Sequence, residues 1–504
     1  MPMTVTGMTI SRPAASAGHG DLVAGACQVD LVAGACQVDQ VAGVCKVDPV
    51  VGVCKVDPVA GSGPAAHAAA GRGAADDAAH GPRIVFFTGG TALKSLSHAL
   101  TGRTHNSVHL VTPFDSGGST AVLRRYIRMP AVGDLRNRLL ALADPAVATP
   151  PLVALCDLRL ADAGAYDTLM QRLYALASER DPAWRGIDPL VADVLRLHLR
   201  WFLEFAPPGF DPHGACLGNL LLAGGYLRHG GGLGPVLHLF TRLLRVRGTV
   251  APIVDDDLHL AAELTDGTVL LGQHRITGKG APGITAPVRR LFLTRTRPDG
   301  DGQGGDGGPN GHNGPTGPVW QVWQNGAGGE ERHGAEGGNS APPAEARVPV
   351  SGVAARHIAE ADLICFPMGS FYTSVLANLL PEGVGRAVAG APCPKVYVPN
   401  SGTDPEQLGL SVADCAAALL AALRRDAGAD VPADRLLNTV VVDSRNGVYP
   451  GGIDHEGLRA QGVDVLDAPV VRALPGGGAQ PVTVAGRHDA DAVADLLMGL
   501  ARPQ

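Results

Sequence analysis

Aromatic residues make up 4% of this 504-residue chain, so its core has to be assembled mainly from Ala, Leu and Val. Positive charge is not in excess either. The formal net charge of −7 gives no reason to expect nucleic acid or an anionic membrane as a partner. No run is fit to span a bilayer: the longest uncharged stretch, 363–381, is interrupted by Pro367, Gly369, Ser370, Thr373, Ser374 and Asn378, which suit a strand, a turn and a helix. The N-terminal sequence lacks a basic segment followed by an apolar core and a small-residue cleavage site. Export is therefore not expected, the cysteines are expected to be reduced, and the cytoplasm is the expected compartment.

What is abundant is glycine and proline, 68 and 39 residues, so a good deal of the chain need not be packed. From Asp21 the chain repeats every nine residues (DLVAGACQV, DLVAGACQV, DQVAGVCKV, DPVVGVCKV), spacing Cys27, Cys36, Cys45 and Cys54 evenly. Zinc sites usually bring cysteines in close pairs, and an odd period moves alternate repeats to opposite faces of a strand. Residues 1–81 are thus expected to be a low-complexity, disordered tail. Residues 297–348, Gly-rich around the apolar island Val319-Trp320-Gln321-Val322-Trp323, are expected to be a disordered insertion. The remainder of 82–502 reads as one α/β domain.

The strongest local pattern is at 84–137. An apolar run at 84–87 stops at Thr88-Gly89-Gly90-Thr91, and helical spacing follows to Leu100. A second run, 108–112, ends in Pro113-Phe114-Asp115-Ser116-Gly117-Gly118-Ser119-Thr120 before another helix. Glycine lets the backbone approach a ligand, and the first N–H groups of a helix lack internal partners and attract anions. Two such turns on adjacent parallel strands would form one phosphate crevice.

Further along, 152–157 reads as a strand and 161–205 as mostly helical. Within it, 189–205 is expected to bury a stripe of Leu190, Val194, Leu197, Trp201 and Phe205, with His198 a packed side chain rather than a ligand. Asn219 lies at the start of an apolar helix, where capping is the default role. Two apolar runs around Thr265-Asp266-Gly267 read as a hairpin, and Asp255-Asp256-Asp257 as a solvated turn, since consecutive side chains diverge. Strands follow at 362–366, 395–398, 439–443 and 463–466, with helices at 371–380, 411–424 and 489–500.

The ordered motifs GGTA, FDSGGST, GDLRN, LGNLLLAG, MGSFYTS with ANLLPEG, and VYVPNSGT resemble the family that joins the 2-phospho-L-lactate transferases (CofD) with the gluconeogenesis factor proteins (YvcK). The likeness runs from about Arg83 to Arg502 and is closer to the second branch. It implies a Rossmann-like, doubly wound, mostly parallel sheet that binds a nucleotide diphosphate group. The transferase branch moves a phospholactyl group from a guanosine diphosphate-linked donor with a divalent metal; the other binds uridine diphosphate sugars and acts in carbon and cell-wall metabolism.

Carried over by motif, the implied nucleotide or phosphate contacts are Gly89, Gly90 and Thr91, then Gly117, Gly118 and Ser119, then Asp134, Arg136 and Asn137. Asn219, Gly369, Ser370, Tyr372, Thr373 and Asn400 complete them, which lifts Asn219 from cap to site candidate. Asp115 is the candidate catalytic base or Mg2+ ligand, and Arg124, with Arg125 and Arg136, the candidate for neutralising phosphate charge. A small nucleotide ligand is the expected partner, and a homodimer an open one. Departures are Ala92 and Ala121 for glycines, Pro367-Met368 for Gly-Pro, and Ser116 for the second of two aspartates. That last change leaves one carboxylate where Mg2+ usually takes one or two beside phosphate and water.

Overall fold

The computed structural model describes residues 78–178, 180–278, 283–298, 342–472 and 487–501, with the short pairs 46–47, 54–55 and 323–324. The expectations about the tail (1–81) and the Gly-rich insertion (297–348) fall outside these residues, apart from 78–81, 297–298, 342–348 and the short pairs. The chain divides into two compact units, 1–69 and 70–504. In the first, Lys46–Val47 pairs antiparallel with Cys54–Lys55.

In the second unit the apolar runs become β1 (Ile84–Thr88), β2 (Val108–Val111), β3 (Thr249–Pro252), β7 (Leu363–Phe366), β8 (Lys395–Tyr397), β9 (Thr439–Val442) and β10 (Asp464–Asp467). They form one seven-stranded sheet in the order β10-β9-β8-β7-β1-β2-β3. Every neighbouring pair in it is parallel. β1, β2 and β7 are buried throughout, which is why they read as continuous apolar runs. Successive residues feed two cores: Val85, Phe87, Ile364 and Phe366 pack on one face, Ile84, Phe86, Leu363 and Cys365 on the other. The strand order reverses between β1 and β7. Such a switch point opens a crevice at the carboxyl ends of the strands.

The hairpin appears as β4 (His259–Leu264) and β5 (Thr268–Leu271), joined by β6 (Val288–Thr294) and Trp323–Gln324 in a second, antiparallel sheet. Between β1 and β3 the helices are α1 (Lys94–Leu100), α2 (Gly118–Tyr126), α3 (Gly133–Leu142), α4 (Pro150–Asp157), α5 (Tyr166–Ala177), α6 (Pro189–Phe205), α7 (Leu217–Arg228) and α8 (Leu233–Leu243). A four-residue helix, α9 (Gln273–Ile276), follows β5.

Two expectations are corrected here. Residues 152–157 lie in α4, not a strand: Pro150 and Pro151 occupy its first turn, where proline is tolerated, and Leu152, Leu155 and Cys156 are buried at helical spacing. In α6 the buried face is Val191, Leu195, His198, Leu199 and Phe202, whereas Leu190 is 72% exposed. The expected stripe is only partly covered, Leu197 and Phe205 being exposed and Val194 and Trp201 half-buried, because it is the other set that meets α7, with His198 Nδ1 3.0 Å from the Leu221 carbonyl. Later helices are α10 (Gly352–Ala359), α11 (Val384–Gly390), α12 (Val412–Ala427), α13 (His455–Ala460) and α14 (Ala490–Leu500). Ser411 and Asp414 make a reciprocal cap on α12, and the Asp489 carboxylate accepts from the Asp491 and Ala492 amides at the start of α14. Among the described residues, no helix is long and apolar enough to cross a membrane.

Candidate functional site at the switch point

A pocket of about 140 Å³ lies where β1 and β7 end. That is smaller than the roughly 300–1,000 Å³ that encloses a whole drug-sized ligand, so it suits one end of a molecule. Its lining includes Gly89, Gly90 and Thr91 from the first loop, Gly369 and Ser370 from the loop after β7, and Asp115 and Asp134. Ala92, Gln273, Met368 and Ser374 also line it. The partner of the first glycine loop is therefore the loop after β7. The loop after β2 supplies only its acid.

Gly117 is the N-cap of α2 and Gly118 has φ +49°, while the Asp115 carboxylate accepts from the Gly117 amide at 3.0 Å. Neither glycine lines the pocket. Arg124 is buried under this loop. It donates to the Asp115 carbonyl at 3.0 Å, to Asp257 at 2.8 Å and to the Leu258 carbonyl at 2.6 Å. Asp257 is thus an ion-pair partner of a buried arginine rather than a solvated turn residue. Burial, reinforced by Arg124, pushes His259 beside it down to about 3, so that imidazole is neutral.

Ser119 accepts from the Cys216 amide at 2.7 Å and from Asn219 Nδ2 at 3.2 Å. Asn219 Oδ1 accepts from Arg136 at 3.0 Å, and Arg136 also reaches Asn137 Oδ1 at 2.8 Å and Asp157 at 3.3 Å. Ser119, Arg136, Asn137 and Asn219 thus form a network tying α2, α3 and α7 together, outside the pocket lining. Ser116 is buried with its Oγ 2.8 Å from His274 Nδ1. The second carboxylate of the pocket comes instead from Asp134.

Behind the loop after β7, residues Phe371–Val375 make a π-helical turn and Leu376–Leu379 a 3₁₀ turn, replacing the regular helix expected there. The amides at this start, where an anion would sit, are occupied from within. Asp404 accepts from Phe371 N at 3.1 Å. Glu406 accepts from Tyr372 N at 2.8 Å, Thr373 N at 3.0 Å and Thr373 Oγ1 at 2.6 Å. Burial raises both carboxyls, Glu406 to about 7. Tyr372 and Thr373 therefore hold carboxylates and lie outside the pocket lining. Asn400 grips Gly369 on both sides, accepting from its N–H at 2.8 Å and donating to its carbonyl at 2.7 Å. Gly369 has φ +151°, which other residues rarely adopt.

Several residues that shape the pocket were not among the candidates. Arg138, two positions beyond Arg136, is fully buried and donates to Thr88 Oγ1 at 3.0 Å, the Gly89 carbonyl at 3.2 Å and the Gly90 carbonyl at 3.1 Å, as well as to Ser97 Oγ. It turns the loop carbonyls inward. Asn378 joins the two loops by donating to the Thr88 carbonyl at 2.9 Å and the Ser374 carbonyl at 2.8 Å. Gln273 brings the antiparallel subdomain to the rim, and its Oε1 is buried without a hydrogen-bond partner. Asn378 lies within the ANLLPEG motif and Arg138 directly follows GDLRN, whereas Gln273 belongs to no motif.

The lining contains no Arg or Lys. Among the described residues no group of three or more His, Cys, Asp or Glu could hold a metal ion by itself. Asp115 and Asp134 do fit a divalent cation that arrives with phosphate oxygens, because such an ion takes only one or two protein carboxylates.

A seven-stranded parallel sheet with its pocket at the switch point, walled by glycine loops, defines a doubly wound Rossmann-like protein. More narrowly, residues 84–471 match the family model described as 2-phospho-L-lactate transferase CofD, and the chain belongs to that family. It is similar to the gluconeogenesis factor of Bacillus subtilis (strain 168), 26% identical over 434 residues covering 84% of this chain and 98% of that protein. The putative gluconeogenesis factor of Thermoanaerobacterium thermosulfurigenes is 25% identical over 84% of this chain and 97% of its own. A crystal structure of a UPF0052-family protein from Bacillus halodurans shares the fold at TM-score 0.52 and 22% identity, covering 82% of this chain and 99% of that one.

Proposed function

We propose that this chain is a nucleotide-diphosphate-binding protein of the gluconeogenesis-factor type, with a nucleotide or nucleotide sugar held by its phosphates at the switch point. The observation that carries this reading is the convergence of Gly89–Thr91 and Gly369–Ser370 on one small pocket. In the first loop the glycine backbone lets phosphate oxygens approach the N–H groups of Gly89–Thr91 without a side chain between them, while the second loop, whose Gly369 N–H is held by Asn400, supplies the opposite wall. The rest of the ligand lies along the crevice past Gln273, whose buried Oε1 offers an acceptor to a hydroxyl or amino group of the ligand. The similarity to gluconeogenesis factors supports a role in carbon metabolism.

A second reading, phospholactyl-type transfer, is favoured by the two carboxylates. Asp115 and Asp134 would hold Mg2+ bridged to the phosphates, and the ion would offset negative charge on the transferred group. On that reading Asp115 is also the candidate base.

A thermal-shift panel of guanosine, uridine, adenosine and nicotinamide nucleotides, with and without Mg2+, tests both. A ligand at ~100 times its dissociation constant stabilises the fold by about 2.7 kcal/mol. Metal-independent stabilisation by a uridine diphosphate sugar is the expected result for the first reading. Guanosine diphosphate binding that strengthens with Mg2+ supports the second, and no shift with any nucleotide overturns both.

A further inference from the structure

One side of α6 carries an apolar row that its own chain covers only in part, where Trp201 meets the His229 ring and the Arg228 guanidinium. Leu190, Val194, Leu197 and Trp201 follow one another at spacings of four, three and four, and Phe205 closes the row. Leu190 is 72% exposed, Leu197 38% and Phe205 43%, with Val194 and Trp201 half-buried. This is the period of a coiled-coil seam, in which apolar residues recur every 3.5 positions along one side of a helix. A soluble helix normally turns such a stripe inward, and α6 already has a complete inner face in Val191, Leu195, Leu199 and Phe202. Isolated exposed apolar residues need no explanation, but a row at heptad spacing on a helix of 17 residues is a different matter.

We infer that α6 is the contact surface for a second copy of this chain, packing antiparallel against the same helix of its partner. The charges beside the seam select this occupant. Asp193 and Arg200 stand seven residues apart on the same flank, each directly preceding a seam residue, Val194 and Trp201. In an antiparallel pair this flank faces its own copy, so a two-fold axis near Leu197 sets Asp193 of one chain opposite Arg200 of the other, twice. The opposite flank carries His198, which is buried within its own chain. Asp193 is 63% exposed although it pairs with Arg196 on its own helix, and Arg200 is exposed. Both are therefore available across the axis. A partner of another kind would not require one helix to carry both halves of the ion pair at this spacing.

Sedimentation velocity of the full chain across about a hundredfold range of concentration tests this, with thermal melting as the control for folding. The expected result is a concentration-dependent dimer that Leu197→Glu converts to monomer at an unchanged melting temperature, because the position is exposed. Asp193→Arg and Arg200→Asp should each weaken the dimer about tenfold, and the double variant should restore it, since the pair is then reversed but complementary. A monomer at every concentration overturns the inference. So does a dimer that survives Leu197→Glu, or a double variant no tighter than either single one.

Discussion

Arg138 places Nη2 3.1 Å from the carbonyl oxygen of Gly90 and 3.2 Å from that of Gly89, so a buried guanidinium, not a ligand, fixes the curvature of the first glycine loop. Burial pushes its pKa down to about 10, still well above neutrality, so it remains a cation behind the pocket. Replacing it by methionine keeps the volume but leaves two carbonyls and two hydroxyls without their donor. Each unsatisfied buried group costs about 1–3 kcal/mol, with partial relaxation, so Arg138→Met should destabilise by ~3 kcal/mol in urea titration. Lysine should rescue little, because one ammonium cannot reach four acceptors arranged around a planar fork.

Gly89 offers a sterically clean test. A Cβ there would lie 2.3 Å from Ser374 Oγ and 2.8 Å from Ser374 Cβ, and its φ is not among the positive values that exclude other residues. Gly89→Ala should therefore cost ~1–3 kcal/mol by overpacking alone. Ser374→Gly in the same chain should recover most of that loss, whereas Ser374→Ala should not, because the Cβ clash persists. Paired melting curves of the three variants read this directly.

Glu406 predicts a pH dependence of stability. Its carboxyl is raised by burial from an ordinary value of 4.5 to about 7, against the hydrogen bonds from Thr373 and Tyr372, which lower it. A carboxyl with a raised folded pKa takes up a proton on folding, so its contribution is most favourable to folding below pH 4.5 and is lost as pH rises through 7. Over that window the group alone should make the fold less stable by as much as a few kcal/mol. Glu406→Gln, which retains an acceptor for the Tyr372 and Thr373 amides, should flatten this part of the profile between pH 5 and 8. Depressed carboxyls such as Asp443, held low by hydrogen bonds from Asn446 and Val471 despite burial, act in the opposite sense at lower pH and should survive the substitution.

The sequence patterns that located this site are those in which both faces of a strand or one turn of glycine impose a local signature. β1, β2 and β7 are buried on every residue and apolar at all but Thr88 and His109, and Gly89-Gly90 and Gly369 follow β1 and β7, so glycine turns at strand ends were legible in the sequence. Which loop faces which was not legible, because it depends on strand order. The reversal between β1 and β7 brings Gly369 to Gly90, leaving Gly117 and Gly118 to start α2. Nor could the pattern of α6 say which of its two apolar rows is buried, since that is decided by α7. Arg124 and Arg136 read as phosphate ligands from charge and motif alone; the long-range partners that occupy them, Asp257 and Asn219, are 133 and 83 residues away.

The two carboxylates make a prediction whose sign distinguishes how the pocket treats a phosphate. Asp115 and Asp134 line a site whose walls carry no Arg or Lys, so a phosphate entering it meets two carboxylates of its own sign. If backbone amides alone hold the ligand, neutralising either acid removes repulsion, and Asp115→Asn or Asp134→Asn should tighten nucleotide binding tenfold or more. If a divalent cation bridges acid and phosphate, the same substitutions remove its anchor and should weaken binding, with the loss confined to Mg2+-containing buffer. Calorimetric titration of each variant with the best nucleotide, with and without Mg2+, measures both. The absence of a third carboxylate at Ser116, whose hydroxyl is engaged with His274, favours the outcome in which Asp134 matters as much as Asp115. Asp134→Asn without effect in either buffer would remove that residue from the site.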